Sequence, residues 1–318
     1  MKLYRKLPAQ VQSTEPTHFA QAEAAAQPLA IRLAIGFTGL VLLTLVVFVL
    51  SRFALSHSTT SAMEVIQYTL TDKMFWSAVA VGFLAQAIDG ALGMAYGITS
   101  TTFLLGAGAS PAMASASVHI AEVFTTGVSG VSHAKLGNVD KKLFLRLLVP
   151  GMIGAVLGAV VITQIDGKAM KPVISAYLFI MGIYILSKAW RTIKKRQSEP
   201  KHVGKLALFG GFVDSAGGGG WGPVVTTSLV GAGNDPRTTI GSVNFAEFFL
   251  ALAGAASFTL LIGSGVWVLV LGLVIGGLFA APFAALVTRR LSTRTLLVLV
   301  GTLITLVSLF NLYKALVV

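Results

Sequence analysis

Long apolar runs separated by short basic loops dominate the chain. The run at 31–50, IRLAIGFTGLVLLTLVVFVL, is long enough to span the hydrocarbon core of a bilayer, which is roughly 30 Å thick. Only 11% of the residues are charged and the mean hydropathy is +0.81, whereas soluble domains carry about 25% charged residues. Because apolar and polar residues do not alternate with a period of two, the membrane segments are predicted to be helices and not strands of a barrel.

The net charge of +12 does not indicate nucleic-acid binding, because the basic residues lie in short loops between apolar segments, as the positive-inside rule requires. The absence of cysteine excludes disulfides, iron–sulfur clusters and thiol chemistry. The first apolar run follows about thirty polar and alanine-rich residues and has no convincing cleavage signal. We therefore expect a polar cytoplasmic leader at 1–30 and a retained transmembrane helix at 31–53.

The chain contains an internal duplication with an offset of 125 residues. Without a gap, residues 89–124 align with residues 214–249, and sixteen of these 36 positions are identical. The identities keep an aspartate, a Gly-Ala-Gly tripeptide, a proline and a Ser-Val-x-x-Ala-Glu sequence in register, which chance similarity between hydrophobic segments seldom does. Two homologous halves are therefore predicted at 74–190 and 205–316.

Each half contains four apolar segments, and the loop charges predict how they cross the membrane. If every segment spanned once, the halves would be parallel and Lys plus Arg would divide about 14 to 10 between the two sides. If the first segment of each half enters and leaves on the same face, the division becomes about 19 to 5, and the loops 135–146, 191–205 and 288–294 are cytoplasmic.

The charge distribution favours the second arrangement, an all-α polytopic membrane protein. It has an inverted repeat of two halves, each with one re-entrant broken hairpin and three transmembrane helices, after one extra N-terminal helix. This topology gives about seven spans and two hairpins, with a cytoplasmic N-terminus and an external C-terminus.

The first segment of each half is interrupted by glycines that follow an aspartate: DGALGMAYG at 89–97 and DSAGGGGWG at 214–222. Backbone that leaves helical geometry at membrane depth must be covered by protein or water, and paired breaks in inverted halves are typical of a transporter's substrate site. Helix N-termini and backbone N–H groups at such breaks suit a small anion. The alternative is that the glycines only allow helices to pack closely.

The candidate anion contacts lie at and just beyond the two breaks. Glycines bring a ligand close to the backbone, and hydroxyls, including those of Thr99 and Ser100, add hydrogen-bond donors. Trp221 is alternatively a packing or gating residue. The candidates are Gly90, Gly93, Gly97, Thr101, Thr102, Ser215, Gly218, Gly219, Gly220, Trp221, Thr226 and Thr227.

The second segment of each half carries ionisable residues that are either coupling groups or structural ones. Glu122 and Glu247 can carry protons or cap N–H groups of the hairpins. His119 lies three residues from Glu122 and so neighbours it on a helix, but its counterpart in the second half is Asn244. No metal site and no cofactor are expected, because the chain lacks cysteine and an HxxxH sequence.

The charge at the breaks is a difficulty for an anion site. Asp89 and Asp214 would repel an anion if they were ionised, and we interpret them first as caps that accept N–H bonds at helix starts. No lysine or arginine falls in the proposed core, so backbone and hydroxyl donors have to suffice unless Arg237 or Lys135 reaches in.

The sequences GAGASP and GAGNDP follow the two hairpins and predict where the next helices begin. Ser110 before Pro111, and Asp235 before Pro236, match an N-cap residue followed by proline at the first helical position.

The duplicated break, the GAGxxP step, the Ser-Val-x-x-Ala-Glu helices and the short basic loops resemble the TauE/SafE family of sulfite exporters and sulfonate transporters, over about residues 74–316. The resemblance implies secondary transport of a sulfur-containing anion such as sulfite or a sulfonate across the bacterial inner membrane, driven by protons or by the membrane potential. The expected partners are this small anion and the lipid bilayer.

Other functions remain open. A passive anion channel and a transporter of a non-sulfur organic anion are alternatives, and the oligomeric state is left open between monomer and homodimer. An intramembrane enzyme is disfavoured, because the chain contains no CxxC, HExxH or GxSxG sequence.

Overall fold

The computed structural model describes residues 28–54, 67, 69–92, 94–190, 202–262, 267–290 and 293–317, which form helices and no strand. Most of the predicted leader and the candidate Gly93 lie outside the described residues. The helices used below are α1 (Leu29–Ala54), α2 (Lys73–Leu92), α3 (Tyr96–Gly106), α4 (Pro111–Lys135), α5 (Lys141–Gln164), α6 (Gly167–Lys188), α7 (Val203–Gly217), a π-helical segment (Gly222–Thr226), α8 (Thr227–Gly231), α9 (Pro236–Ile262), α10 (Trp267–Arg290) and α11 (Thr293–Val317).

The predicted helix starts after the two hairpins are confirmed. Helix α4 begins at Pro111, and the Ser110 hydroxyl accepts a hydrogen bond of 3.3 Å from the N–H of Met113. Helix α9 begins at Pro236, and the Asp235 carboxylate accepts one of 2.9 Å from the N–H of Thr238. Both caps satisfy N–H groups that the first helical turn leaves without an internal partner.

Helices of the first half pack against helices of the second half. The extensive contacts are those of α2 with α10, of α5 with α7, of α6 with α11, and of α4 with α9. Glycines allow the backbones in at least three of these pairs to touch, and two of these glycines serve as examples. A Cβ on Gly154 of α5 would lie 2.8 Å from the backbone nitrogen of Phe212, and one on Gly276 of α10 would lie 2.7 Å from that of Phe83. These two glycines serve close packing, as small residues do between membrane helices.

Within the described residues, four helices are long and apolar enough to cross a membrane: Lys141–Gln164, Gly167–Lys188, Pro236–Ile262 and Leu297–Val317. Helix α4 has 25 residues but is less apolar, because its buried side carries His119, Glu122 and several hydroxyl groups. The described part of the chain is thus all-helical and contains four candidate membrane spans. Seven spans and the inverted arrangement stay predictions at this point.

Candidate functional site

The glycines of the second half interrupt a helical run and turn the chain. Helix α7 ends at Gly217, and Gly218 and Gly219 have φ angles of +71° and +136°. This region of backbone conformation is open to glycine and unfavourable for residues with a Cβ. The Asp214 carboxylate accepts a hydrogen bond of 2.8 Å from the N–H of Trp221, where the next helical run starts. The aspartate thus joins the two helical pieces across the break.

The first half repeats this construction. Helix α2 ends at Leu92 and α3 starts at Tyr96, whose N–H donates to the Asp89 carboxylate over 3.3 Å. Ala95 lies between them with a φ of +125°, an unfavourable value for a residue with a side chain, and its counterpart in the second half is Gly220. Both aspartates therefore have the geometry that the capping interpretation requires. Gly90 lies in the last turn of α2.

The two breaks meet in the buried centre of the molecule. A Cβ on Gly97 would lie 2.8 Å from the Cα of Gly219, so the backbones are in contact and neither position has room for a side chain. The Thr101 hydroxyl donates to the carbonyl of Gly218, and the Tyr177 hydroxyl donates to that of Gly219 over 2.7 Å. These bonds attach the glycine turn of the second half to helices of the first half.

The hydroxyl candidates have different surroundings. The protons of Thr101 and Thr102 are engaged, that of Thr102 with the carbonyl of Ile98 at 2.7 Å. The Thr99 hydroxyl is fully buried and has no hydrogen-bond partner among the described residues. Thr226 is buried in the π-helical segment, and the next residue, Thr227, accepts a hydrogen bond from Lys188. The buried hydroxyls of Ser100 and Tyr96 likewise have no hydrogen-bond partner among the described residues, so these three hydroxyls near the first break keep bonding capacity for a ligand.

His119 and Ser215 connect α4 to the second break. The His119 Nε2 atom lies 3.2 Å from Asp214 Oδ2 and 3.0 Å from the Ser215 hydroxyl oxygen. Its Nδ1 atom lies 2.9 Å from the carbonyl oxygen of Ser115, whose own hydroxyl donates to the carbonyl of Ser215 over 2.6 Å. Ligand atoms of His119, Glu122 and Asp214 all lie within 4.8 Å of one another, and these three residues are buried.

The second half lacks this cluster. Asn244 occupies the position equivalent to His119, and its side-chain oxygen has no hydrogen-bond partner among the described residues. Glu247 is partly buried, whereas its counterpart Glu122 is only 2% exposed. Trp221 is fully buried and its indole N–H donates to the carbonyl of Val243 over 3.1 Å. The halves therefore share the break and its cap but differ in the ionisable groups beside it.

Beside the second break lies a cation that sequence reasoning missed. Lys188, at the end of α6, donates to Thr227, and its nitrogen lies 3.9 Å from the sulfur of Met94 and 4.7 Å from the ring centre of Tyr184. The side chains of Arg237 and Lys135 do not extend to the contact between the two breaks. Both are exposed, and the Arg237 guanidinium donates to the Asn138 side chain. In the sequence, Lys188 is marked only by its position at the end of an apolar segment.

Comparison with known proteins assigns the chain to a protein family. Residues 78–311, which include both breaks, match the family described as "Sulfite exporter TauE/SafE". A protein of Bacillus subtilis (strain 168) described as "Probable membrane transporter protein YtnM" is 45% identical, over 72% of this chain and 79% of that protein. No solved structure matches the chain. The resemblance seen in the sequence is confirmed: the chain belongs to the TauE/SafE sulfite exporter family and is a multi-pass membrane transporter, not an enzyme.

Proposed function

We propose that the protein is a secondary active transporter of a small sulfur-containing anion, such as sulfite, a sulfonate or a related organosulfonate, across the bacterial inner membrane. The family description and the transporter named among the relatives support this class of cargo and of activity. Residues 74–190 and 205–316 are the two transport repeats in this proposal, and they move relative to each other around the glycine-rich breaks.

The observation that carries the proposal is the contact between the two breaks. Gly97 and Gly219 touch through their backbones, and the buried Thr99 hydroxyl beside them has no partner among the described residues. Helix α3 and the helical run that begins at Trp221 both start beside this contact. The N-termini of helices favour negative charge. Lys188 supplies a positive charge at the far side of the second break. A small oxyanion fits this combination of donors.

Contacts between loops support the inverted arrangement. Arg237 donates to Asn138 over 2.5 Å, and the N–H of Asp140 donates to the Ser242 hydroxyl over 2.8 Å. With seven spans and two re-entrant hairpins, the loops at 135–146 and 231–236 both face the cytoplasm, so these contacts are allowed. With eight single spans after the first helix, the two loops would lie on opposite sides of the bilayer, and the contacts would be impossible.

Two further contacts agree with the inverted arrangement, of which the second, between Arg294 and Trp190, would be impossible with eight single spans. Gly167, at the start of α6, faces the helix start at Pro111: a Cβ there would lie 3.7 Å from the proline Cδ and 3.8 Å from Ser110 Cβ. Both segments are external in the inverted arrangement. Arg294 lies 5.7 Å from the ring centre of Trp190, and both of these residues are then cytoplasmic. The N-terminus is cytoplasmic in the same arrangement.

We assign coupling to protons carried by Glu247. It is the partly buried member of the pair of repeat-related glutamates, whereas Glu122 is enclosed. An intramembrane carboxylate with this placement is typical of proton-coupled transporters.

Flux through proteoliposomes tests the proposal. Purified protein is reconstituted, and uptake of labelled sulfite and of a panel of sulfonates is measured with and without an imposed pH gradient. We expect saturable transport and accumulation against the anion gradient. Flux that does not saturate and never runs uphill would identify a passive channel, and transport of carboxylates alone would identify a non-sulfur organic anion carrier. Absence of flux for every anion under every gradient would refute the proposal.

A further inference from the structure

We propose that His119, Glu122 and Asp214 bind one divalent transition-metal ion in the centre of the molecule. The three residues come from two elements, α4 and α7, that lie in different halves of the duplication. Their ligand atoms lie within 4.8 Å of one another, which is close enough for one ion to contact all three. None of the side chains is more than 2% exposed.

The orientation of the imidazole ring is that of a metal ligand. His119 Nδ1 lies 2.9 Å from the Ser115 carbonyl oxygen, which can only accept a hydrogen bond, so Nδ1 carries the hydrogen. In the neutral ring, Nε2 then presents a lone pair on the side where Asp214 Oδ2 lies 3.2 Å away. Metal-bound histidines almost always use the other ring nitrogen in this way, donating to a carbonyl or carboxylate.

Two carboxylate oxygens in the cluster lack hydrogen-bond donors. Glu122 Oε2 and Asp214 Oδ2 are buried and form no hydrogen bond with any described residue. A buried carboxylate is strongly unfavourable unless a charge or donors compensate it. No lysine or arginine is among the buried residues of the described chain. A divalent cation between the two oxygens and the imidazole nitrogen balances both charges and occupies all three atoms.

The ligand set selects the class of metal. Na⁺, Mg²⁺ and Ca²⁺ prefer sites made of oxygen alone, whereas one imidazole with two carboxylates suits Zn²⁺ and its first-row neighbours. Three protein ligands leave at least one coordination position for a further atom, as in sites where zinc binds water or substrate. Glu122 Oε1 lies only 2.9 Å from where a Cβ of Gly97 would be, so the cluster adjoins the crossing of the breaks.

The position of the ion also resolves the repulsion that the carboxylates would exert on an anion. With the metal bound, the centre of the protein attracts an oxyanion, whose oxygen can take the open coordination position. This last step rests on the proposed function, whereas binding of the metal does not.

The duplication predicts one such site per chain and suggests the substitution that removes it. The equivalent positions of the other half are Asn244, Glu247 and Asp89, and an asparagine amide is a poor ligand for these metals. Substitution of His119 by asparagine therefore gives the first half the residue found at the equivalent position of the second half, Asn244. The exposed His202, which precedes α7, provides the control, since its substitution by asparagine is the same chemical change outside the three ligands.

The test uses tag-free, full-length protein that has been purified in detergent and stripped with a chelator. Zn²⁺ binding is measured by calorimetry, and Co²⁺ binding by the visible absorption that ligation by nitrogen and oxygen produces. We expect about one ion per chain, with affinity at least tenfold lower in His119→Asn and Glu122→Gln. The surface variant His202→Asn should bind as the wild type does, and thermal melting of each apo-protein verifies its fold.

The opposite results would overturn the metal site. They are no binding of either ion to the wild type, or equal affinity in the wild type and His119→Asn. A wild type that binds no metal but transports anions in proteoliposomes would refute the metal site and leave the proposed function standing. Specific metal binding without any anion flux would support the metal site and refute the proposed function.

Discussion

Gly97 and Gly219 touch through their backbones, although 122 residues separate them in the chain: a Cβ on Gly97 would lie 2.8 Å from the Cα of Gly219 and 2.9 Å from Glu122 Oε1. The backbone of each break therefore covers one side of the other break. A movement of one half relative to the other has to alter this contact, which makes it the natural place for a substrate to couple to a conformational change.

Substitutions at this contact should abolish transport. Gly97→Ala forces a methyl group against backbone and carboxylate, and Gly219→Val adds a side chain at a φ of +136°. Overpacking of this kind costs about 1–3 kcal/mol, which either closes the site or separates the breaks. We expect at least roughly tenfold lower flux in proteoliposomes, with membrane insertion retained.

Gly231→Ala is the matched control for these variants. Gly231 is an exposed glycine at the end of α8 with nothing within 4 Å of its added Cβ. It should transport at the wild-type rate. Normal flux through Gly97→Ala would contradict a site lined by the backbone of the two breaks.

The Asp214 carboxylate should stabilise the protein mainly as a hydrogen-bond acceptor. Asp214→Ala removes the acceptor of the Trp221 N–H and leaves that group buried, which should lower the free energy of unfolding by about 1–2 kcal/mol. Asp214→Asn keeps an oxygen for this bond and should melt closer to the wild type. Thermal unfolding in detergent measures both. Equal destabilisation by the two substitutions would show that the negative charge, and not the cap, is what the fold requires.

The positions of the breaks and of the helix starts could be predicted from the sequence, because glycine runs, prolines and cap residues act locally. Asp89, Asp214, Ser110 and Asp235 all accept N–H bonds within seven residues of their own positions. The duplication repeats each of these local signals in the same order, and the two halves form their breaks and helix starts alike.

Long-range contacts could not be predicted in this way. His119 and Asp214 are 95 residues apart in the chain, and Lys188 reaches Thr227 from a different half of the duplication. Helical periodicity shows which face of a helix is buried but not which helix covers it. For the same reason the sequence left Thr99 and Thr101 equivalent, whereas the fold engages the hydroxyl of Thr101 with Gly218 and leaves that of Thr99 available.

Lys188 should contribute to recognition of the anion. Loss of a charged hydrogen-bond donor costs about 1.5–3 kcal/mol, so Lys188→Met should raise KM for the anion roughly tenfold or more, while Lys188→Arg should raise it less. Initial rates of uptake at a series of anion concentrations give KM. Lys205→Met, a change at an exposed lysine in the first turns of α7, should leave KM unchanged. An unaltered KM in Lys188→Met would assign the lysine to packing alone.

Glu247→Gln should separate uphill transport from exchange. The amide has the shape of the carboxyl group but cannot release or take up a proton, so a pH gradient can no longer drive accumulation. Exchange of labelled for unlabelled anion requires no net proton movement and should persist at a rate near that of the wild type. Both fluxes are measured in the same proteoliposomes. Accumulation at the wild-type level would exclude Glu247 as the coupling group.

The inverted arrangement predicts that equivalent residues of the two halves face opposite sides of the membrane. Ala107 and Ala232 occupy the same position in the duplicated Gly-Ala-Gly step, and the chain contains no cysteine, so single-cysteine variants report one site each. A membrane-impermeant maleimide added to spheroplasts should label Ala107→Cys directly, and Ala232→Cys only after the membrane is opened. Labelling of both from the same side would require parallel halves. It would also be incompatible with the hydrogen bond between Arg237 and Asn138, because their loops would then lie on opposite faces of the bilayer.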